Sequence, residues 1–456
     1  MKAEIRPKEE KGITLIALVI TIIVLLILAG VAIATLTGEN GILTQASKAK
    51  DKSTEAETIE RVQVEVAGSY GTDGKIDLDQ LNKNLRNIKG LTYNKNDLSD
   101  TNKINNLPAT VTLNGYDIVI EGSGKTRKPN EIEKAKANGT VFVDDKTTIT
   151  DAYGNSVTIP KGFKIASDSA TDVTGGIVIE DATYANTIGS QFVWIPVGDI
   201  YTDEQRTEAN KKTITLGRYN FTKNSDGTIT TSEYSGSYTE DTEESHNSSY
   251  GNAIAKDVEK FKESTSVDKN GGYYIGRYEA GVTGYDSKSI TTSNSNSETN
   301  WTGYTNASGK ELQLVCKSGQ QVWNYVTQNK ASELSKNMYD NTVPFTSDLI
   351  NSYAWDTAIV FEQAFDDRSD KTTPYSIQTS FNGELEEKGT TTDKICNIYD
   401  MASNCFEWTT ETGSDSYAPY VSRGGYYSIT KHFASGRQSV SNTTGYDLSF
   451  RPVLYV

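Results

Sequence analysis

The chain has 456 residues and a formal net charge of -15, from 60 acidic and 45 basic residues. This length predicts two or three domains, and the acidic balance argues against a nucleic-acid partner. The three cysteines, Cys316, Cys396 and Cys405, provide no disulfide framework, and two histidines are too few for a His-rich metal site.

An uncharged, mostly apolar run covers residues 13–38, directly after the charged leader of residues 1–12. A helix of ~26 residues is long enough to cross a bilayer, at ~1.5 Å of rise per residue. A secretory signal would end in a small-residue cleavage site, whereas here the small residue Gly12 precedes the run. We therefore expect a single-pass membrane protein with a large extracellular C-terminal region.

Residues 11–18 read KGITLIAL, and this segment resembles the processing site of type IV prepilins. In that family a peptidase cuts after the glycine and methylates the next residue. The resemblance implies cleavage between Gly12 and Ile13, with a prepilin peptidase and pilus or pseudopilus subunits as partners. Ala17 stands where the family usually carries a glutamate, which leaves filament formation open. The alternative is a plain single-span anchor.

Residues 39–122 are predicted as a pilin-like stalk and small head. Apolar residues recur at helical spacing between Gly41 and Gly68, and a second helical candidate covers 78–88. Two strand candidates, 109–113 and 116–121, flank Asn114-Gly115, which is a hairpin signal. The polar stretch that follows, 123–139, is predicted as a linker.

From Thr140 onward, short apolar runs bounded by Gly, Asn and Asp predict a mainly β region. The strand candidates are 157–159, 176–179, 192–195 and 273–278; the helical candidates are 320–330 and 346–365. Two polar insertions, about 222–252 and 282–309, are predicted as surface loops. The expected fold class is α+β, with 140–184 as a small β-rich lead-in and 185–456 as the large domain.

Three elements near the C-terminus form a recognisable pattern, which we call the signature elements. They are NIYDMASNCFEWT at 397–409, Arg423-Gly424-Gly425, and Phe450-Arg451-Pro452. They resemble the signature of formylglycine-generating enzymes, the sulfatase-modifying factors, and segments 191–198 and 274–279 resemble that family's opening strands. The resemblance covers about 185–456 and implies a mixed α/β domain with a C-type lectin fold.

The residue types alone argue for packing, because large apolar side chains and paired glycines suit a close-packed core. Arg423, Glu407 and Arg451 are charged residues among apolar ones. We interpret them as members of structural ion pairs or as backbone-bonded arginines.

The resembled enzymes oxidise a substrate cysteine with two thiolates that hold copper, just past the RGG element. Alignment on Arg423 puts Ile429 and Ala434 at those positions, and no cysteine follows Cys405. We therefore assign no catalytic residue and predict that the protein is not an enzyme. The alternative is an extracellular oxidoreductase of the formylglycine-generating type, with Cys396 and Cys405 as a redox pair.

Residues 426–439, which we call the tail, have the composition of a recognition surface. Tyr supplies contact area at a modest entropic cost, and Ser, Thr, His and Arg add adaptable hydrogen bonds. The candidate ligand-binding residues are Tyr426, Tyr427, Ser428, Thr430, His432, Ser435 and Arg437. The alternative is two edge strands and a polar loop. The tail also resembles the variable region of retroelement-diversified proteins, which occupies the same place in the same fold.

These observations predict a cell-surface recognition protein on a pilin-type anchor, whose lectin-fold domain binds a protein or glycan without turnover. Members of the resembled family often bind calcium structurally. Calcium is therefore a candidate cofactor, although no metal ligands are assigned.

Overall fold

The chain divides into two compact units, Met1–Pro129 and Asn130–Val456. Both combine helices with mainly antiparallel sheets, so the α+β class is confirmed at this level. The computed structural model describes residues 19–28, 42–93, 103–240, 261–262, 270–284, 311–379, 385, 389–415, 417–428, 432–441 and 445–456.

The structure describes only part of the predicted membrane helix over 13–38. Residues 19–28 are helical, with exposed apolar side chains. No helix within the described ranges is long and apolar enough to cross a membrane, so the predicted single-pass membrane location is corrected. Gly12, Ile13 and Ala17, at the prepilin-like site, lie outside the described residues.

In the first unit, two helices and a four-stranded antiparallel sheet share one core. Asp77 caps the second helix by accepting from the backbone N–H groups of Asp79 and Gln80. Asn114 and Gly115 have φ angles of 53° and 83°, which confirms the predicted hairpin. The elements are α1 Ile42–Ala67, α2 Leu78–Leu85, β1 Thr92–Tyr93, β2 Ala109–Leu113, β3 Tyr116–Ile120 and β4 Thr126–Arg127.

The stretch 123–139, predicted as a linker, contains the unit boundary but also regular structure. It includes β4 and a helix, α3, over Glu131–Asn138. Asn130 and Glu133 form a capping box at the start of α3, and the helix ends at Gly139 with a φ of 59°.

The second unit is built mainly from strands. Besides α3, the helices that the described ranges contain in full are α4 Gln328–Lys336 and α5 Ser352–Ala364, with 3-10 turns at Val173–Gly175, Glu208–Asn210 and Tyr375–Ile377. Its strands are β5 Lys146–Thr150, β6 Ser156–Pro160, β7 Phe163–Ile165, β8 Val178–Asp181, β9 Gln191–Pro196, β10 Gly198–Tyr201, β11 Lys211–Ile214, β12 Tyr219–Lys223, β13 Ile229–Glu233, β14 Thr239–Glu240, β15 Gly272–Gly276, β16 Gly281–Thr283, β17 Gln313–Val315, β18 Thr346–Leu349, β19 Lys394–Ile395, β20 Ile398–Tyr399, β21 Phe406–Thr412, β22 Tyr420–Arg423, β23 Arg437–Val440, β24 Leu448–Phe450 and β25 Pro452–Tyr455.

The centre of this unit is a six-stranded antiparallel sheet, in the order β18-β25-β15-β9-β8-β7. All five residues of β15 are buried because the sheet is covered on both faces. On one face Tyr273 and Ile275 share a core with Trp355 of α5. On the other, Tyr274 shares a core with Trp408 of β21. Strand β21, which carries part of the first signature element, thus packs against this second face of the central sheet.

The second sheet has the order β14-β21-β22-β23, and β24 pairs in parallel with β21. Strands β21, β22 and β24 carry parts of all three signature elements. The helix predicted over 346–365 is instead β18 followed by α5, because Asn351 caps α5 by accepting from the N–H of Ala354 at 2.9 Å. The helix predicted over 320–330 begins only at Gln328, after the N-cap Thr327.

Candidate functional site

The signature loop, residues 396–405, leads into β21 and has a tightly constrained backbone. Asn397 Nδ2 donates to the carbonyl of Gly176 at 2.8 Å, and Asn404 Nδ2 donates to Glu279 Oε2 at 2.6 Å. Left-handed φ angles are uncommon outside glycine and persist only where the surroundings hold them. Four residues of this loop have them: Cys396, Asn397, Asp400 and Asn404.

Arg451 and Glu407 form a fully buried ion pair beside this loop, and both side chains are 0% exposed. Arg451 Nε and Nη2 donate to the two Glu407 oxygens at 3.0 and 2.6 Å. The same guanidinium donates to the carbonyls of Gly276 at 2.7 Å and Tyr399 at 2.8 Å. The pair therefore joins β21, β15 and the signature loop.

Arg423 belongs to a second buried network, which contains three arginines and two carboxylates. It donates to Glu411 at 2.9 Å and also to Asp356 of α5. Arg437 donates to the same two carboxylates, and Arg218 donates to Glu411 at 2.6 Å. Burial alone would raise the pKa of Glu411, but the three arginines outweigh it and lower the pKa to about 2. The predicted structural role of Arg423, Glu407 and Arg451 is thus confirmed.

The two glycines after Arg423 allow the tail to pass directly over the signature loop. A Cβ at Gly424 would lie 2.6 Å from the carbonyl oxygen of Met401, and φ there is +80°. A Cβ at Gly425 would lie 2.2 Å from the carbonyl oxygen of Ala402. We call the signature loop, the Arg451–Glu407 pair and the Arg423 network, together, the framework.

The first two tail residues lie mostly inside the protein. Tyr426 and Tyr427 are 9% and 7% exposed. The Tyr426 ring lies 4.5 Å from the ring of Phe406, and the N–H of Tyr427 donates to the carbonyl of Asn404 at 3.0 Å. Both side chains pack in the core, so only a small part of each ring is available to a ligand.

The remaining predicted tail residues differ in exposure. Arg437 is bonded within the Arg423 network, and its guanidinium lies over the ring of Tyr234 at 4.0 Å. Ser435 Oγ donates to the carbonyl of Ser376 at 2.6 Å. Ser428 is exposed and His432 is half-buried, with its ring 4.9 Å from that of Phe406, whereas Thr430 lies outside the described residues.

A group of tyrosines beside the tail is missing from the sequence-based site. Tyr446 is 36% exposed, and its ring lies 6.2 Å from that of Tyr427, which is itself 5.8 Å from Tyr426. The N–H of Tyr325 donates to the carbonyl of Gly445 at 3.0 Å, which brings a fourth tyrosine to the same place. We call Tyr325, Tyr426, Tyr427, Tyr446 and the adjacent Asp447 the tyrosine cluster.

Asp447 is the acidic residue of the cluster. Burial raises the pKa of Tyr325, Tyr426 and Tyr427, and the nearby Asp447 carboxylate raises the pKa of each further. Burial also raises the pKa of Asp447, against the opposing effect of its own backbone N–H. The cluster therefore combines tyrosine rings with one half-buried carboxylate.

The sequence could have indicated Tyr446 as a ligand contact, because it is an aromatic residue in the polar segment before the last signature element. The sequence gives no such indication for Tyr325, because this residue is far from the tail in the chain and comes close to it only in the folded protein. Its backbone φ is 53°, which is uncommon for a tyrosine.

Two cysteines of the signature loop, Cys396 and Cys405, are buried free thiols, each 1% exposed. Cys396 Sγ donates to the carbonyl of Phe365 at 3.5 Å, and Cys405 Sγ donates to the carbonyl of Tyr446 at 3.8 Å. Burial, followed by nearby carboxylates, raises the pKa of both thiols well above the usual value. Both are therefore held in the neutral form, which is a poor nucleophile and metal ligand.

Within the described part of the chain, no group of three or more His, Cys, Asp or Glu side chains could hold a metal ion. These residues therefore provide no set of ligands for the calcium ion that was expected from the sequence.

No family model and no curated protein matches the chain. Among solved structures, Treponema denticola variable protein 1 is similar at 12% sequence identity, over 60% of this chain and 98% of that one. The TM-score is 0.30, and a likeness at that level carries no argument about fold or function.

Proposed function

We propose that residues 185–456 form a non-catalytic domain of the formylglycine-generating-enzyme type, with a C-type lectin fold, that binds a protein or glycan ligand. The binding surface in this proposal is the tyrosine cluster with the exposed parts of the tail. The observation that carries the proposal is that the partly exposed ring of Tyr446 lies against Tyr427, whose N–H is bonded to the signature loop. Tyrosine is among the residues most enriched at the energetic centres of interfaces.

The framework supports binding because it fixes the rings before a ligand arrives. Tyr426 packs on Phe406 of β21, and the N–H of Tyr427 bonds to the signature loop. A surface held in place loses less conformational entropy on binding than a mobile one. Tyr446 and Ser428 then offer exposed contacts on a fixed base.

The alternative function, an oxidoreductase, would use Cys396 and Cys405. Both thiols are buried, bonded to backbone carbonyls and shifted toward the neutral form. The chemistry of the resembled enzymes requires accessible thiolates. These properties favour binding over turnover.

The test is selection of ligands for the full chain from a displayed random-peptide library and from a printed glycan array. A ligand of the tyrosine cluster should lose binding with Tyr446→Ser and keep it with Tyr417→Ser. Tyr417 is a matched control because its side chain is 88% exposed and lies outside the cluster. If no ligand distinguishes the two variants, the cluster is not a recognition surface.

Two further expectations stay proposals. Cleavage between Gly12 and Ile13 by a prepilin peptidase predicts that Gly12→Val retains its leader in a host that carries the peptidase, as intact mass spectrometry would show. An unchanged mature mass would contradict this assignment.

Diversification of the tail by a retroelement is tested by sequencing the gene from many isolates, where changes should fall at adenines of the tail codons.

A further inference from the structure

Asp447 follows Tyr446 in the chain and has a well-defined position beside the tyrosine cluster. A Cβ at Gly445 would lie 2.5 Å from Asp447 Oδ1, so the carboxylate folds over the Gly445 backbone. The carbonyl of that glycine binds Tyr325, and the carbonyl of Asp447 itself accepts from the N–H of Phe406 at 2.8 Å. The position is thus fixed from both sides.

This carboxylate forms no ion pair with any lysine or arginine of the described ranges. The contrast with Glu407, Glu411 and Asp356 is direct, because each of these carboxylates is paired with arginine. A half-buried carboxylate without a counter-charge is costly, and a cation from outside would remove that cost.

The partly exposed ring of the neighbouring Tyr446 suits a cation as well. The faces of tyrosine rings attract ammonium and guanidinium groups within about 6 Å of the ring centroid. We propose that the tyrosine cluster binds a cationic side chain, lysine or arginine, presented by a protein partner. This inference rests on the proposed recognition function and narrows it from a protein or glycan to a basic protein surface.

The experiment measures binding of tetra-lysine to the full chain by calorimetry at ~0.15 M ionic strength, where the Debye length is ~8 Å and distant exposed charges contribute little. Asp447→Asn and Tyr446→Ser should each weaken binding about tenfold. Asp144→Asn, which removes an exposed carboxylate elsewhere, should leave binding unchanged. Tetra-lysine acetylated on every side-chain amine should not bind.

Equal effects of Asp447→Asn and Asp144→Asn would overturn the inference, because binding would then reflect net charge alone. Binding of the acetylated peptide would overturn it too. A selected peptide or glycan that requires Tyr446 but binds Asp447→Asn normally would contradict the cation site and leave the recognition function intact. The absence of any Tyr446-dependent ligand in the selections would instead contradict the recognition function.

Discussion

The framework and the tyrosine cluster are neighbours, but the charged groups of the framework are buried and paired, whereas the cluster is partly exposed and its carboxylate has no ion pair among the described residues. Arg451 and Glu407 are 0% exposed and satisfy each other, and Arg423 is shared between two buried carboxylates. In the tyrosine cluster, Asp447 is half-buried and Tyr446 is 36% exposed. The most recognisable residues of the sequence therefore hold the fold together, whereas the residues between the signature elements form the candidate binding surface.

The largest effect on stability is expected from breaking the buried pair of the framework. Arg451→Met should lower the free energy of unfolding by about 3–5 kcal/mol, because Glu407 would be left buried without a partner. All five tryptophans lie in the second unit, so urea unfolding followed by tryptophan fluorescence reports on this unit. The matched control is Lys330→Met, which breaks the exposed Lys330–Glu333 pair and should cost ~0.2–1 kcal/mol. A loss below that of the control would contradict the role given to the pair.

The second effect separates the inner part of the tyrosine cluster from its rim. Tyr427→Ala should lower the free energy of unfolding by about 3 kcal/mol, because a ring that is 7% exposed would leave a cavity. Tyr417→Ala, at a tyrosine that is 88% exposed, should change it by less than ~0.5 kcal/mol. If both variants unfold like the wild type, Tyr427 is a surface residue and belongs to the binding rim.

The third effect is the pH dependence of the Arg423 network. The pKa of Glu411 is lowered from its ordinary 4.5 to about 2, so its contribution to stability is fully present above pH 4.5. That contribution is lost as the pH falls toward 2, because the unfolded state then binds the proton first. Between about pH 5 and pH 3, the wild type should lose ~2 kcal/mol relative to Glu411→Gln in urea titrations. A constant difference between the two proteins would show that Glu411 titrates normally.

The smallest effect on stability is expected at the rim. Tyr446→Ser should change the free energy of unfolding by less than ~0.5 kcal/mol, because the ring is partly exposed and packs mainly on Tyr427. A loss comparable to that of Tyr427→Ala would place Tyr446 in the core and remove the distinction between rim and interior.

Features that depend on local sequence were predictable. The Asn114-Gly115 hairpin follows from turn chemistry, and charged residues inside apolar runs indicated buried ion pairs at Arg423 and Arg451. The single-pass membrane location, which was inferred from the hydropathy of 13–38, is not supported, because no helix of the described residues is long and apolar enough to cross a membrane.

The orientation of the tail and the partners of its residues could not be predicted from local sequence either. Asp356 is 67 residues from Arg423, and only the packing of α5 against the second sheet brings them together. Tyr426 and Tyr427 turn inward because Gly425 lies against the signature loop, which composition alone does not reveal. Tyr325 joins Tyr446 through a backbone contact at Gly445.

The separation of a binding surface from the framework is tested most directly by measuring ligand affinity and unfolding on the same samples of wild type, Tyr446→Ser and Tyr417→Ser, with a ligand selected on the wild type. We expect Tyr446→Ser to lose at least about 30-fold in affinity while its unfolding curve stays that of the wild type. Tyr417→Ser should match the wild type in both measurements. Unchanged affinity in Tyr446→Ser, or a loss that only parallels unfolding, would contradict the separation of a binding surface from the framework.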